Sequence, residues 1–567
     1  MDMDIKPAEP PLTVAQTAGH GVTTATASDI SAQPLDLDLE EASKPRTKLR
    51  LAAILSALYI ALFIAALDQT IVSIAIPTIT SDLHSASGYV WIGGAYLLAA
   101  AATGPTWAKC SDIWGRKPLL LAAVAMFAAP SILAALSSSM TMLIAARALQ
   151  GVASGGLTQL VSIVIADLFS VRKRAMYMGY VGVVWGVAGA AGPLIGGALT
   201  EYRSWRYCFW INLPICGVTF ILLLLFLDVH NPRTKLAEGM RAVDWFGTVA
   251  ILAATLLLLI GLDFGGVLFP WSSPKVICLI VVGALVFGFF LFGEQRLATY
   301  PLMPLTVFKS STNNAVFLVT FSHAMVLIGI EYYMPLYFQS AKQASPLTSG
   351  LLLLPLIGMM AILEIAMGLL IARTGRYREV IWIGVTMMTL GTGLYIMLGP
   401  DTSLAVIIGL EVIGASGPAL LFQGPTIAIQ NSVSQADTAA ATACLGFMRA
   451  IAMALSVVVG GVVFQNSMDN RHSQLVAAGL NGTVLEALSG GQAAANVAIT
   501  QSIQDPAQRQ AVLEAFAWST RNLFIMYTSL AAVAMFASVF IKHSKLNKEH
   551  TETKTGILHL TKMERKK

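Results

Sequence analysis

The sequence predicts an all-helical bundle embedded in a membrane, and three observations carry that prediction. Of its 567 residues, 56% are hydrophobic and only 12% are charged, and the mean hydropathy is +0.70. A water-soluble chain of this composition would expose large apolar patches and aggregate. The apolar residues fall into about fourteen runs of roughly 20 residues, the length a helix needs to cross the hydrocarbon core. These runs are too long and continuous for barrel strands, and in lipid only a helix or a closed barrel satisfies its own backbone amides.

The elements follow in order. Residues 1–50 are rich in Thr, Ser, Ala, Pro and acidic residues and are expected to form a disordered cytoplasmic tail. That stretch lacks the apolar core of a cleavable signal, so the first span does the targeting. Six spans are expected at 52–77, 89–108, 118–136, 141–165, 176–199 and 207–227, making an N-terminal half over 51–227. Two more, at 246–262 and 275–293, lie in a central region over 228–314. The last six, at 315–338, 351–371, 380–398, 403–430, 439–464 and 521–541, make a C-terminal half over 315–541. A long outside segment, 465–520, interrupts that half, and 542–567 is a cytoplasmic tail.

Direction follows from Lys and Arg, which short cytoplasmic loops retain. Lys44, Arg46, Lys48 and Arg50 precede span 1; Lys109, Arg116 and Lys117 follow span 2; Arg172, Lys173 and Arg174 follow span 4. The alternation continues with Arg233, Lys235 and Arg241 after span 6, Arg296 and Lys309 after span 8, and Arg373, Arg376 and Arg378 after span 10. Both termini are therefore expected in the cytoplasm. The expected outer segment carries one glycosylation triplet, Asn481-Gly482-Thr483.

Several function classes are excluded at this stage. The basic residues are scattered and form no stripe that could follow a phosphate backbone, so nucleic acid is not an expected partner. Cys110, Cys208, Cys216, Cys278 and Cys444 have neither metal-site nor disulfide spacing and read as small buried apolar residues. The sequence holds no Gly-x-x-x-x-Gly-Lys-Ser/Thr loop and no paired spanning His for haem, so no cofactor, metal or ATP is expected.

The loop between spans 2 and 3 reads Lys109-Cys-Ser-Asp112-Ile-Trp-Gly115-Arg116-Lys117-Pro118. Gly115 permits a tight turn, Asp112 can accept from backbone amides at a helix end, and Arg116 with Lys117 is expected to hold the inner surface. An ordinary basic loop is the plainer alternative. An echo between spans 10 and 11, Ala372-Arg373-Thr-Gly375-Arg376, repeats the Gly-Arg pair with Ala372 in the place of Asp112. That echo suggests two related halves with spans 7 and 8 inserted between them, an organisation of transporters built by internal repetition.

Further motifs make a resemblance specific. Leu67-Asp68-Gln69-Thr70 through Pro77 in span 1, the loop around Asp112, and Arg147-Ala-Leu-Gln150-Gly151 in span 4 stand in order. Gly192-Pro193-Leu-Ile-Gly196-Gly197 follows in span 5, and Trp205-Arg206 through Trp210-Ile-Asn212-Leu-Pro214 at the start of span 6. In these the chain resembles the major facilitator superfamily, in particular its fourteen-span drug:proton antiporters of the fungal multidrug and toxin efflux type. Ala108 departs from the pattern, standing where that family usually has Gly. The resemblance implies a bundle of two six-helix halves plus two inserted helices, with Gly192, Pro193, Gly196 and Gly197 as an exporter motif.

Counting 1.5 Å per residue, Asp68 lies about 26 Å into span 1 from the inside and Arg147 about 9 Å into span 4 from the outside, so the two can share a depth and pair. An ionisable residue inside a span is costly and marks a cavity or a partner. A carboxylate that alternates between Arg147 and a proton would couple protons to a conformational change; a permanent structural pair is the alternative. Glu331, Glu364, Glu411 and Arg449 are further intramembrane candidates for proton or substrate, or else satisfied buried polar groups. His323 stands alone and reads as packing. Gly189, Gly192, Gly196 and Gly197 place small residues on one side of span 5, and Pro193 invites a kink.

The expected function is gradient-driven export of small amphipathic compounds, whether drugs, toxins or a self-made metabolite, in exchange for protons. The expected protein is monomeric, sits in the plasma or vacuolar membrane, and is no enzyme. Import or intracellular movement of a nutrient or siderophore is the alternative within transport, and a non-transporting sensor is the alternative outside it.

Overall fold

The computed structural model describes residues 47–83, 88–232, 234–265, 269–298, 301–303, 305–434, 437–489, 493–494, 496–546 and 556. The expected N-terminal tail and most of the C-terminal one lie outside the described residues. Contacts divide the chain into Met1–Lys48 and Leu49–Lys567, and the second unit holds the bundle.

Each apolar run becomes a helix. The first five are α1 (Lys48–Asp82), α2 (Gly88–Trp114), α3 (Arg116–Ala135), α4 (Met140–Leu168) and α5 (Val171–Tyr202). Tyr207–Trp210 and Asn212–Phe226 together form α6. After a short helix at Leu236–Ala242 come α7 (Trp245–Phe264), α8 (Pro274–Arg296) and α9 (Ser311–Ser340). Pro346–Leu352 with Leu354–Thr374 forms α10, and Tyr377–Leu394 with a 3-10 turn at Tyr395–Met397 forms α11. Leu404–Leu421 with Gly424–Ser432 forms α12, followed by α13 (Thr438–Asn470) and α14 (Pro506–Ser538). Among the described residues, twelve helices are long and apolar enough to cross a membrane. The other two, α2 and α14, have 27 and 33 residues and carry more polar side chains, Lys109 and Asp112 in one, Arg509, Glu514 and Arg521 in the other.

Local chemistry sets the ends. Ser139, Asp244, Ser403 and Asp505 cap α4, α7, α12 and α14 by accepting from Met142, Gly247, Val406 and Ala507 amides. The Asp505 cap and Pro506 start α14 well before the apolar run at 521, and α13 continues to Asn470. The segment 465–520, expected as one long loop, is therefore helical at both ends. Gln508, Arg509, Gln510 and Glu514 make the first turns of α14 polar, which hides the helix from a hydropathy count. Gly115 and Gly375, the two glycines of the Gly-Arg echo, both take positive φ, +93° and +74°, where a side chain would be strained.

Two groups of helices each build a core. In the first, α4 packs against α2 and α3, and α3 against α6. In the second, α9 packs against α13 and α14, α11 against α12 and α14, and α10 against α12. Tyr337, Phe338, Tyr395, Phe464, Phe516, Phe524 and Tyr527 fill that second core. Helix α7 packs on α8 and also touches α2 and α13. The outer surface of α8 exposes Ile277, Val281, Val282, Leu285, Phe289 and Phe292, a surface suited to lipid. Cys278 lies on that helix and is exposed. The expectation that all five cysteines are buried fails there, because an apolar run facing lipid looks the same in sequence as one facing a core, and Cys110 is only half-buried.

Where the groups meet, α5 lies antiparallel to α10. Gly368 sits on the Ala175 carbonyl, Gly182 on the Glu364 side chain, and a Cβ at Gly186 would stand 3.6 Å from that of Ala361. Further along the same two helices, Gly189 and Gly358 have nothing within 4 Å of a would-be Cβ. The helices therefore touch at the basic end and separate beyond Gly186. Helices α2 and α13 behave alike: Ala108 packs with Ile163, Ala439 and Ala443, whereas Gly104 faces open space. The bundle is closed at the end that carries Lys109, Arg116 and Arg172 and parted above it.

Candidate functional site

The first group encloses a polar network on α1, α3, α4 and α6. Asp68 and Arg147 are 0% and 1% exposed and form an ion pair through Oδ2 and Nη1. The other carboxylate oxygen, Oδ1, accepts from Asn212 Nδ2 at 2.7 Å and from Gln150 Nε2 at 3.4 Å. Gln150 Nε2 also donates to Ser131 Oγ at 2.8 Å, and Arg147 Nη1 donates to Gln150 Oε1 at 3.0 Å. Arg147 Nε reaches the Ile92 carbonyl at 3.0 Å, and the guanidinium lies 4.3 Å over the Tyr96 ring. One negative and one positive charge are thus matched in a place without water access, the arrangement that makes a buried pair tolerable.

Two residues past Asp68, α1 meets α5. Thr70 Oγ1 donates to the Ala188 carbonyl at 3.0 Å. Gly192 and Gly196 face Thr70 and Ile71 so closely that any Cβ would collide with them. The span 5 glycines do not act as one stripe: Gly192 and Gly196 pack on α1 while Gly189 faces open space. Gly197 lies in the same helix, as does Pro193, whose side chain is outside the described set; α5 runs unbroken through both.

The loop between α2 and α3 differs from its expected form. Arg116 is 2% exposed and is no surface residue. It joins Asp112 Oδ1 at 2.6 Å and Asp167 Oδ2 at 2.8 Å. Asp112 lies inside α2, so its carboxylate meets the guanidinium one turn on instead of capping a helix end. Lys117 is the half-buried member, donating to the Leu224 carbonyl at 2.7 Å. Gly115 turns beneath Pro232, whose Cδ would stand 2.9 Å from a Cβ. Replacing Arg116 with Ala removes the guanidinium that Asp112 and Asp167 share. The expected cost is about 3–5 kcal/mol of stability, read as a lower unfolding temperature of the purified protein; Lys recovers only part, because one ammonium lacks the two-sided fork. An unchanged unfolding temperature would show that the bridge is idle.

The second group brings three of its four candidates together. Glu364, 4% exposed, lies within Coulombic reach of Arg449 and Glu331. Arg449 stacks 4.7 Å over Phe422 and donates to its carbonyl at 3.3 Å. His323 is buried nearby, its Nε2 3.0 Å from the Pro418 carbonyl. Glu411 stands apart in α12, 0% exposed, near Tyr395, and neither of its oxygens has a hydrogen-bond partner among the described residues. The helix positions echo the first group. Asp68 and Glu331 are each the twenty-first residue of α1 and α9, and Arg147 and Glu411 are each the eighth of α4 and α12.

With these geometries in place, comparison with known proteins fixes the family. The model of the Major Facilitator Superfamily matches residues 58–457. This chain belongs to the Major Facilitator Superfamily. It is 42% identical over 524 residues to the MFS-type transporter ppz2 of Metarhizium majus, covering 92% of this chain and 90% of that one. It is 41% identical over 507 residues to the efflux pump dotC of Dothistroma septosporum, covering 89% and 87%. The structure of the human organic anion transporter MFSD10 aligns at a TM-score of 0.54 and 17% identity, covering 85% of this chain and 99% of that one, a likeness of fold. The protein is a multi-pass membrane transporter of small molecules, with the all-helical superfamily fold.

Within this superfamily member, sequence reasoning missed three members of the buried network. Gln150 and Asn212 were visible only as motif letters, and Ser131 not at all. A spacing signal existed for one of them: Arg147 and Gln150 are three apart and share a helix face. Asn481 is exposed and caps the short helix Gly482–Ala487, its Oδ1 accepting from the Val484 amide at 2.9 Å and leaving the amide nitrogen free of that bond.

Proposed function

We propose that this transporter exports small amphipathic organic compounds, drugs, toxins or a metabolite of its own cell, in exchange for protons. The observation that carries the reading is the enclosed Asp68 carboxylate, matched by Arg147 and read by Gln150, Asn212 and Ser131. A proton on Asp68 removes the negative charge that holds Arg147, and a buried guanidinium without its partner drives the surrounding helices to rearrange. Residues 70 and 71 of the same helix press on Gly192 and Gly196, so a shift of α1 is passed to α5. Helix α5 is one wall of the contact with α10, and that contact closes the basic end. In this reading 51–227 and 315–541 are the two halves, 228–314 carries the inserted pair α7 and α8, and α2 and α14 complete fourteen spans. The matching helix positions of Asp68 with Glu331 and Arg147 with Glu411 support the repeat.

The basic end is the cytoplasmic one on the positive-inside rule. The parted end then opens outward, with the outer segment and Asn481 on that side and both termini inside. The name of the Dothistroma relative, an efflux pump, favours export over uptake. A single chain provides both halves, so a monomer in the plasma membrane suffices.

Inverted membrane vesicles with an acidic lumen test this. An amphipathic fluorescent dye is expected to accumulate in them, and an ionophore that collapses the proton gradient is expected to abolish the accumulation. Accumulation confined to right-side-out vesicles would overturn the export reading.

A further inference from the structure

A helix ends with carbonyls that its own amides do not reach, and at the end of α2 three of these are met by three different donors. The Ser111 carbonyl accepts from the Gly115 amide at 3.0 Å. The Ile113 carbonyl accepts from Thr234 Oγ1 at 2.7 Å. The Asp112 carbonyl accepts from the Gly556 amide at 2.8 Å, so the C-terminal segment of the chain supplies the third. Gly556 is buried and has a φ of +112°. A Cβ on it would collide with Pro232, the same proline that covers Gly115. Pro232 is therefore held between two glycines of positive φ, and neither place admits a side chain.

A few residues earlier the same segment is fastened to the other helix group. Ser544 donates its amide to Tyr377 Oη at 3.0 Å, and its carbonyl accepts from Asn431 Nδ2 at 3.4 Å. His543 stacks on the Tyr377 ring with centroids 5.6 Å apart. Leu546 is 8% exposed and belongs to the second core. Tyr377 opens α11 between Arg376 and Arg378, and Asn431 lies in the last turn of α12. Both fastenings are thus at the basic, closed end of the bundle.

We propose that the end of α2, together with Pro232, is a docking surface for the chain's own C-terminal segment at Gly556, and that the docked segment straps the two helix groups together at their closed end. The surface selects its occupant by two features of Gly556: an amide aimed at the Asp112 carbonyl and the absence of a side chain against Pro232. Gly556 follows Leu546 by ten residues, a reach of at most about 36 Å. A segment held at Leu546 by one group and at Gly556 by the other limits how far their basic ends can separate. Opening that end then requires Gly556 to leave α2, and the free energy of docking adds to the closed state. The docking stands on the contacts alone, while its effect on opening rests on the two groups parting as in the transporter proposed above.

Two measurements on the full-length protein in lipid nanodiscs test this. In hydrogen exchange the Gly556 amide is expected to be slowed about fivefold or more relative to an unstructured chain, and Gly556→Val is expected to release its neighbours to the unstructured rate. The second measurement reads the closed seam, where Ala439 packs with Ala108 and Ile163. Ala439→Cys is labelled with a maleimide, and its modification is followed by mass spectrometry of the peptide. Ending the chain after Leu546, or adding Gly556→Val, is expected to speed that labelling about fivefold, the weight of one ordinary hydrogen bond. A Gly556 amide that exchanges at the unstructured rate would overturn the docking. Equal labelling of the whole and shortened chains would overturn the strap. Faster labelling in the shortened chain but not with Gly556→Val would show that the segment acts elsewhere than at Pro232, and would overturn the docking surface. Neither measurement involves substrate or protons: absence of export from the vesicles would refute the export reading alone, and an unprotected Gly556 amide would refute the strap alone.

Discussion

Asp68→Asn is expected to lower gradient-driven dye efflux by about tenfold or more while the protein still reaches the membrane. The substitution keeps size and shape but removes the titratable charge inside a network that is 0–1% exposed. Arg147 then remains buried with only neutral acceptors, Gln150 Oε1 and the Ile92 carbonyl. Removing one partner of a buried pair costs about 3–5 kcal/mol, so a lower unfolding temperature should accompany the loss. Downhill exchange of dye for unlabelled dye separates the two effects, since it needs a moving transporter but no proton. Retained exchange with lost uphill efflux is the signature of broken coupling. Undiminished uphill efflux would remove Asp68 from the proton path, and Asp68 with Arg147 would then be a structural pair.

Gly196→Val is expected to abolish transport and to destabilise the fold by about 1–3 kcal/mol or more, the usual penalty for overpacking. A Cβ there collides with the Ile71 carbonyl, which belongs to a helix backbone and cannot swing aside as a side chain would. Gly192→Val meets Thr70 and the Ile71 amide and should behave alike. Gly189→Ala is the contrast, since nothing lies within 4 Å of its Cβ and Ala is the better helix former. Unfolding temperature and vesicle efflux measured on the three variants check this. Equal tolerance at positions 189 and 196 would show that the α1 to α5 contact carries no motion.

The intramembrane charges were legible in the chain because charge is scarce in apolar runs, and Asp68 and Arg147 could be matched in depth from helical rise alone. Gln150, Ser131 and Asn212 were not, because uncharged polar residues are common in spans and only packing shows which of them meet. Arg116 misled in the opposite direction. A basic residue in a short loop reads as surface, but here Asp112 and Asp167 draw it inside. The glycines of span 5 read as one stripe, and two of them turned out to contact α1 while Gly189 faces the gap.

Hydropathy and length were enough to locate most of the helices and to mark the bilayer as their solvent, because each helix satisfies its own backbone and needs no partner to do so; the polar first turns of α14 escaped them. The order of motifs was enough to indicate the superfamily. Tertiary structure alone decided which charges are neighbours. Glu331, Glu364 and Arg449 lie on three helices and Glu411 on a fourth, and nothing in their spacing distinguishes the three that converge from the one that stands with Tyr395. It also decided which end is closed, since α5 and α10 carry small residues on both sides of the point where they part. Small residues permit close approach everywhere along such a helix, and the packing of the whole bundle selects where it occurs.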